Sequence, residues 1–232
     1  NFNFLRVWGG GIYESDDFYD LCNDRGILVW QELIFACNRY PNTDEAFHNN
    51  VKREAVYQIR RLAGHPALIA WCGNNEMEEG TWHWGYDKGI VHPDLALFHV
   101  TLPRLLHDED PTRYYQPSSP FSPGFVDPRA NDVGDQHPWT IGFFDTDFRK
   151  YREMICRFPN EGGILGPTSL PTMLACLPKG QRKVESFAWQ VHDNAITSWA
   201  EPSPTDQMID LHLGKNIRKM SIEEFTYYGG LV

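Results

Sequence analysis

Apolar and polar positions in this chain follow two periods in alternation. Short apolar runs of strand length are separated by stretches in which apolar residues recur every three or four positions. Phe4-Leu5-Arg6-Val7-Trp8 reads as a strand that stops at Gly9-Gly10-Gly11. Ser15 is placed to cap a helix, with Asp16 and Asp17 in its first turn and Phe18, Leu21 and Cys22 on one face. Gly26 ends that helix, and Ile27-Leu28-Val29-Trp30 is a continuous apolar run of the kind buried in parallel sheets. Phe47, Val51, Ala55, Ile59 and Leu62 then mark the clearest amphipathic helix, which Gly64 and Pro66 terminate. Ala67 to Trp71 is the next buried strand and leads into Cys72-Gly73-Asn74-Asn75-Glu76.

Beyond this point the pattern weakens. A helix is expected between Asp94 and His107, with Pro103 either kinking it or opening its second half. Tyr114 to Gln116, Val133 to His137 and Ile155 to Phe158 read as short strands, and residues 117–128 as a proline-rich surface loop. The stretch from Gly162 to Pro204 is broken by Pro and Gly and yields no assignment, while Ile222 to Tyr228 opens a final helix. Strands alternating with helices, without hairpins, favour a parallel α/β fold, either a barrel or an open doubly wound sheet. Both gather function at the carboxyl ends of the strands. That rule selects Trp8 to Gly11, Gln31-Glu32, Asn75-Glu76, Ser118-Ser119, His137 to Trp139 and Asn160-Glu161.

Composition narrows the function. The 232 residues approach the roughly 250 of a (β/α)₈ barrel. Lys and Arg number 21 against 31 Asp and Glu, a net charge of −10, which argues against nucleic acid and anionic membrane as partners. No apolar run reaches the roughly 18 residues of a membrane span. The five cysteines, with no CxxC, fit neither a disulfide framework nor a zinc knuckle.

Two carboxylates stand out. Glu76 directly follows a buried strand, and Glu161 follows a shorter one between Asn160 and Gly162. A retaining glycosidase needs such a pair, one to protonate the leaving oxygen and one to attack the anomeric carbon. Glu78 and Glu79 compete with Glu76 for its role. The glycine run followed by Glu32 imitates a dinucleotide-binding turn, but Glu14 stands where the third glycine belongs and would repel a pyrophosphate. The glycines fit a tight turn or a close backbone approach better. No HExxH suggests a metal, and His137 reads as a hydrogen-bonding residue before a ligand. No GxSxG marks Ser118-Ser119 as a nucleophile. Trp71 reads as core, whereas Trp8, Trp84 and Trp139 suit either sugar stacking or packing.

These residues together resemble glycoside hydrolase family 2 β-mannosidases. Leu5-Arg6-Val7-Trp8-Gly9-Gly10-Gly11-Ile12-Tyr13-Glu14 is similar to the end of the second barrel strand, and Trp30-Gln31-Glu32 with Phe35-Ala36-Cys37 to the third. Trp71 to Glu76 is similar to the acid/base motif, and Asp110-Pro111-Thr112-Arg113 through Pro120 to the fifth strand region. Gly134-Asp135-Gln136-His137 with Trp139 resembles the sixth, and Phe158-Pro159-Asn160-Glu161-Gly162 the seventh. The resemblance implies a (β/α)₈ TIM barrel and a retaining exo-glycosidase for terminal β-mannosides. Glu76 would be the general acid/base and Glu161 the nucleophile, with no cofactor and no metal. It further implies that Asn75 meets the sugar 2-hydroxyl and that Arg6 keeps the nucleophile ionised. Trp8, Glu32, Trp84, His137 and Trp139 would shape the subsite. Glu76, as the acid, should have the higher pKa of the two carboxyls.

The chain departs from the family pattern at Pro138, where a Tyr is usual, and at Asn160-Glu161-Gly162-Gly163, where Ser-Glu-Phe/Tyr-Gly is usual. Residues 1–232 are expected to form one incomplete barrel domain, with strands two to seven and without the first and last. The expected partners are a glycoside or oligosaccharide and the remainder of a longer polypeptide. The alternatives are a catalytically silent sugar-binding or structural barrel fragment, or a related β-galactosidase, β-glucuronidase or exo-glucosaminidase.

Overall fold

The structure is a computed structural model that describes residues 2–41, 43–86, 93–124, 126–192 and 203–232. The chain packs as two compact units. The first comprises Asn1–His137 and Cys156–Asn160, the second Pro138–Ile155 and Glu161–Val232.

The first unit is α/β. Its strands β1 (Phe4–Val7), β2 (Leu28–Glu32), β3 (Leu68–Cys72) and β4 (Tyr114–Gln116) form one parallel sheet in sequence order. Parallel neighbours need long crossovers. Helix α1 (Asp16–Arg25) and helix α2 (Glu45–Leu62) supply the first two. The third carries α3 (Met77–His83), then a helical run of α4 (Pro93–Ala96), a π-helical turn (Leu97–Thr101) and α5 (Leu102–Glu109). The apolar face read from the sequence of α2 is the one that packs. Val51, Ala55, Ile59 and Leu62 are buried with Val29, Leu68 and Trp71 beneath them. Trp30, Ala70 and Cys72 are buried on the opposite face, with Phe4 against them. A sheet covered on both sides explains why its strands are apolar runs rather than alternations.

Helix ends follow the local chemistry with one exchange. Gly26 adopts the left-handed conformation that closes α1. Ser15 occupies the N-cap of α1, but its hydroxyl makes no capping bond. Asp44 caps α2 instead, accepting the Phe47 N–H at 2.7 Å, a contact worth about 1 kcal/mol. Pro103 opens the second half of the third helical run, as the second residue of α5. The π turn ahead of it absorbs the ring, with the Leu102 N–H reaching back to Leu97. In that spacing the Phe98 carbonyl would look to Pro103, which has no N–H. The Tyr115 hydroxyl donates to it instead, at 2.7 Å.

The short strands expected at Val133 to His137 and Ile155 to Phe158 shrink to a single parallel bridge, Gln136↔Pro159. The Gln136 N–H donates to Phe158 O at 3.0 Å and the Asn160 N–H to Gln136 O at 3.2 Å. The ladder goes no further because Pro159 has no N–H to give and the Gln136 side chain takes the Phe158 N–H at 2.9 Å.

The second unit is helical. It contains the single turn α6 (Thr140–Phe143), α7 (Leu170–Cys176), α8 (Phe187–His192), α9 (Pro204–Leu213) and α10 (Ile222–Gly229). The stretch that resisted assignment in the sequence, as far as it is described, is helix and turn around a core of Met173, Leu177, Val184, Trp189, Ile209, Ile222 and Phe225. Ser221 and Glu224 form a reciprocal capping box on α10.

Candidate active site

The regular ladder ends at Cys72, but pairing continues. Asn75 bridges Ala36 on one side and Ser119 on the other. Its N–H donates to Phe35 O at 2.9 Å and its carbonyl accepts the Cys37 N–H at 3.1 Å. The loops after β2, β3 and β4 are therefore tied together at one strand-end surface. Glu76 follows in the left-handed conformation, φ 60°, its N–H donating to Ser119 O at 2.6 Å. That conformation costs a non-glycine residue about 1–2 kcal/mol, and the clamped neighbours hold it.

The Glu76 carboxylate is buried and fully engaged. Oε1 lies 2.7 Å from His137 Nδ1. Oε2 accepts from Cys37 Sγ at 3.0 Å and from Asn75 Nδ2 at 3.3 Å. Burial alone raises its pKa, but the hydrogen bond and charge of His137 outweigh burial, with Cys37 and Asn75 adding to them, so the group sits below the ordinary carboxyl range. Burial alone would make Glu76 a weaker acid, but these hydrogen bonds favour its carboxylate form. The competing carboxylates are occupied elsewhere. Glu78 pairs with His99 at 3.2 Å, and Glu79 is buried against Arg129 at 2.5 Å.

Glu32 is wholly buried at the end of β2 and braces the site rather than facing outward. Oε1 accepts from Arg6 Nε at 2.8 Å and Oε2 from the Gly9 N–H at 2.7 Å. Burial raises its pKa despite Arg6. Arg6 also donates to Asn75 Oδ1 at 2.6 Å, so one guanidinium joins β1, β2 and the segment after β3. The glycine run serves close approach. A Cβ on Gly9 would stand 2.3 Å from the Phe35 carbonyl oxygen, and one on Gly10 within 2.1–2.5 Å of the Trp8 ring. Gly9→Ala should lower stability by about 1–3 kcal/mol in urea unfolding, because the obstruction is backbone. A loss below about 0.5 kcal/mol would show that the loop after β2 can move aside.

His137 continues the network. Its Nε2 lies 3.0 Å from Ser119 Oγ, and that hydroxyl donates to Asp135 Oδ2 at 2.5 Å. Asp135 is buried and also accepts from Gln116 Nε2, the Phe121 N–H and Asn160 Nδ2, each at 2.8 Å. Ser119, His137 and Glu76 thus have the connectivity of a hydrolase triad. Ser119 is no nucleophile, however: it is fully buried and its proton is committed to Asp135.

Glu161 belongs to the second unit, one peptide bond after Asn160. Trp139 Nε1 donates to its Oε1 at 3.3 Å, and the Trp139 ring packs edge-on to Phe143 at 5.0 Å. Gly162 and Gly163 have φ of 145° and 121°, a region closed to most side chains. A Cβ on Gly162 would stand 3.3 Å from the Pro138 ring. The two departures from the family pattern are thus packed on each other. Trp8 and Trp84 are each more than two-fifths exposed, free to meet a ligand. Ser119 was selected from the sequence by strand-end placement and set aside as a nucleophile, whereas Asp135 and Cys37 were not among the candidates. Their only signal was their place in the strand-end segments.

No protein-family model matches the chain. It is 41% identical to a goat (Capra hircus) β-mannosidase over 59% of its length, and 30% identical to β-mannosidase B of Thermothelomyces thermophilus over 96%. The crystal structure of a β-D-mannosidase from Dictyoglomus thermophilum superposes on 99% of the chain with a TM-score of 0.83 at 32% identity. The chain is a β-mannosidase-like domain of glycoside hydrolase family 2. It spans 17% of the goat relative and 27% of the other two. An exo-chitosanase of Amycolatopsis orientalis, 12% identical with a TM-score of 0.58, shares this family domain's fold.

Proposed function

We propose that this chain carries the retaining exo-glycosidase site for terminal β-mannosides, with Glu76 as general acid/base and Glu161 as nucleophile, on a (β/α)₈ barrel framework. The observation that carries the reading is the placement of Asn75-Glu76 at the end of a parallel strand, with the Glu76 carboxyl in hydrogen-bond contact with His137, in a chain akin to β-mannosidases. Glu161 would attack the anomeric carbon while Glu76 gives its proton to the departing oxygen. The resulting glycosyl ester on Glu161 is then cleaved by water, whose proton Glu76 takes back, and the sugar leaves with its β-configuration kept. Arg6 and Glu32 brace Asn75, which would meet the 2-hydroxyl, and Trp8, Trp84 and Trp139 would wall the subsite.

The test is a panel of aryl β-glycosides (mannoside, galactoside, glucuronide and glucosaminide), with the first-formed sugar anomer followed by ¹H NMR. Release of β-mannose, faster than release from the other three, is expected. An α-anomer would overturn the retaining mechanism, preference for another sugar the substrate, and calorimetric binding without turnover the catalytic reading itself.

A further inference from the structure

Asp135 is a buried carboxylate that no cation reaches among the described residues. Its four acceptor sites are filled by neutral donors. Gln116 Nε2 and the Phe121 N–H meet Oδ1, while Ser119 Oγ and Asn160 Nδ2 meet Oδ2. Desolvating a charge without a counter-charge is costly, so the arrangement calls for a reason.

Proton counting along the chain of contacts supplies one. The Ser119 hydroxyl has one hydrogen, and at 2.5 Å from a carboxylate oxygen that hydrogen goes to Asp135. Its lone pairs then accept from Asn160 Nδ2 at 2.9 Å and from His137 Nε2 at 3.0 Å. A group that accepts from Nε2 requires Nε2 to carry a proton. The other ring nitrogen, Nδ1, is left facing Glu76 Oε1 at 2.7 Å. One further proton lies between that pair, on the ring or on the carboxyl.

We propose that Asp135 is a positioning residue which, through Ser119, keeps the proton on His137 Nε2 and so frees Nδ1 to exchange a proton with Glu76. The role rests on the glycosidase reading for its purpose, because a carboxyl that alternates between acid and base needs a neighbour able to hold its proton. Other titratable or charged groups of the first unit face the His137–Glu76 pair. They are Cys37 and Tyr86 beside Glu76, Glu32 at the end of β2 with Arg6 upon it, and Glu79 of α3 with Arg129. None of them takes part in the Nε2–Ser119–Asp135 chain.

Asp135→Asn is a sharp probe because the amide can satisfy the site in one orientation. Gln116 Nε2 and the Phe121 N–H both need an acceptor, so the amide oxygen must occupy the Oδ1 position. The NH₂ then points at Ser119 and Asn160. Asn160 turns over, bringing its Oδ1, a buried oxygen with no hydrogen-bond partner among the described residues, to face the new NH₂. Ser119 now accepts from that NH₂, and its own hydrogen is released to His137 Nε2 or to the turned Asn160 Oδ1, so Nε2 loses its obligatory proton. With the Ser119 hydrogen on Nε2, the ring takes the Nδ1–H form, a fixed donor to Glu76 that holds it as carboxylate.

The experiment is ¹⁵N NMR of the full chain labelled at histidine, with the His137 signals assigned by their absence in His137→Gln. In the unmodified chain at neutral pH, Nε2 should be protonated. In Asp135→Asn, and in Ser119→Ala, the Nε2 signal should move toward the unprotonated position. An unprotonated Nε2 in the unmodified chain overturns the proposal without any variant, and an unchanged Nε2 in folded Asp135→Asn does so too. In parallel, Asp135→Asn should cut hydrolysis of alkyl β-mannosides by about ten- to a hundredfold, spare dinitrophenyl β-mannoside, and move the alkaline limb to lower pH. A nitrogen swap in a chain that hydrolyses nothing would remove the glycosidase reading and leave the relay standing. Hydrolysis without the swap would do the reverse.

Discussion

Replacing Glu161 with alanine should abolish turnover of every β-mannoside, by on the order of 10⁴-fold or more, because no bond to the anomeric carbon can form without the nucleophile. The loss should not depend on the leaving group, since attack on carbon precedes or accompanies every departure. The fold should survive. Glu161 is only partly buried, and the Trp139 Nε1 donor at 3.3 Å is a long contact, so the substitution leaves no cavity in a core cluster. Circular dichroism and the urea midpoint would confirm that. Added azide should enter the space left by the carboxylate and attack the same face, releasing an α-mannosyl azide. Retention of activity within about tenfold would show that another group attacks, and a β-configured azide would show that the face is wrong.

Glu76→Gln should give the second largest effect, and a selective one. The amide keeps the shape and the partners Cys37 and His137 but has no proton to donate. Values of kcat/KM for alkyl β-mannosides should fall by about 10²- to 10⁴-fold, while dinitrophenyl β-mannoside, whose leaving group needs no proton, should keep its first step. The pH profile carries the same information. Glu76 is held below the ordinary carboxyl range by His137, so the useful proton belongs to the pair. Hydrolysis of poor leaving groups should decline as pH rises and the pair gives up that proton. In Glu76→Gln this alkaline limb should vanish from the residual hydrolysis of the alkyl substrates. Equal losses on both substrate types would remove Glu76 from the acid role.

Much of the first unit could be read from the chain. The face of α2, the buried runs at β2 and β3, and the ends at Gly26 and Gly64 depend on residues within a few positions of each other, and local periodicity records them. Glu76 was legible for the same reason, since strand-end placement in a parallel sheet is a local fact with a global consequence. The segments from Val133 to His137 and Ile155 to Phe158 misled because β-propensity says nothing about which backbone groups a Gln136 side chain will claim first. The final helix α10 was legible, but α7 and α9 of the second unit were hidden by proline and glycine, which here start and cap them.

The identity of the site's supporting residues came only from three dimensions. Asp135 and Ser119 lie 16 positions apart, and Cys37 and Glu76 lie 39 apart, yet each pair is in hydrogen-bond contact. Pro138 and Gly162, two unrelated oddities in the sequence, prove to be neighbours. By itself the sequence determined the four strands of the sheet and the helices joining the first three, and which strand would end in the candidate acid. That follows from hydrophobic burial, which leaves a periodic trace along the chain. The tertiary structure alone decided which groups share each proton. A proton's position depends on hydrogen-bond partners from several loops at once, and contacts so distant along the chain leave no local pattern to read.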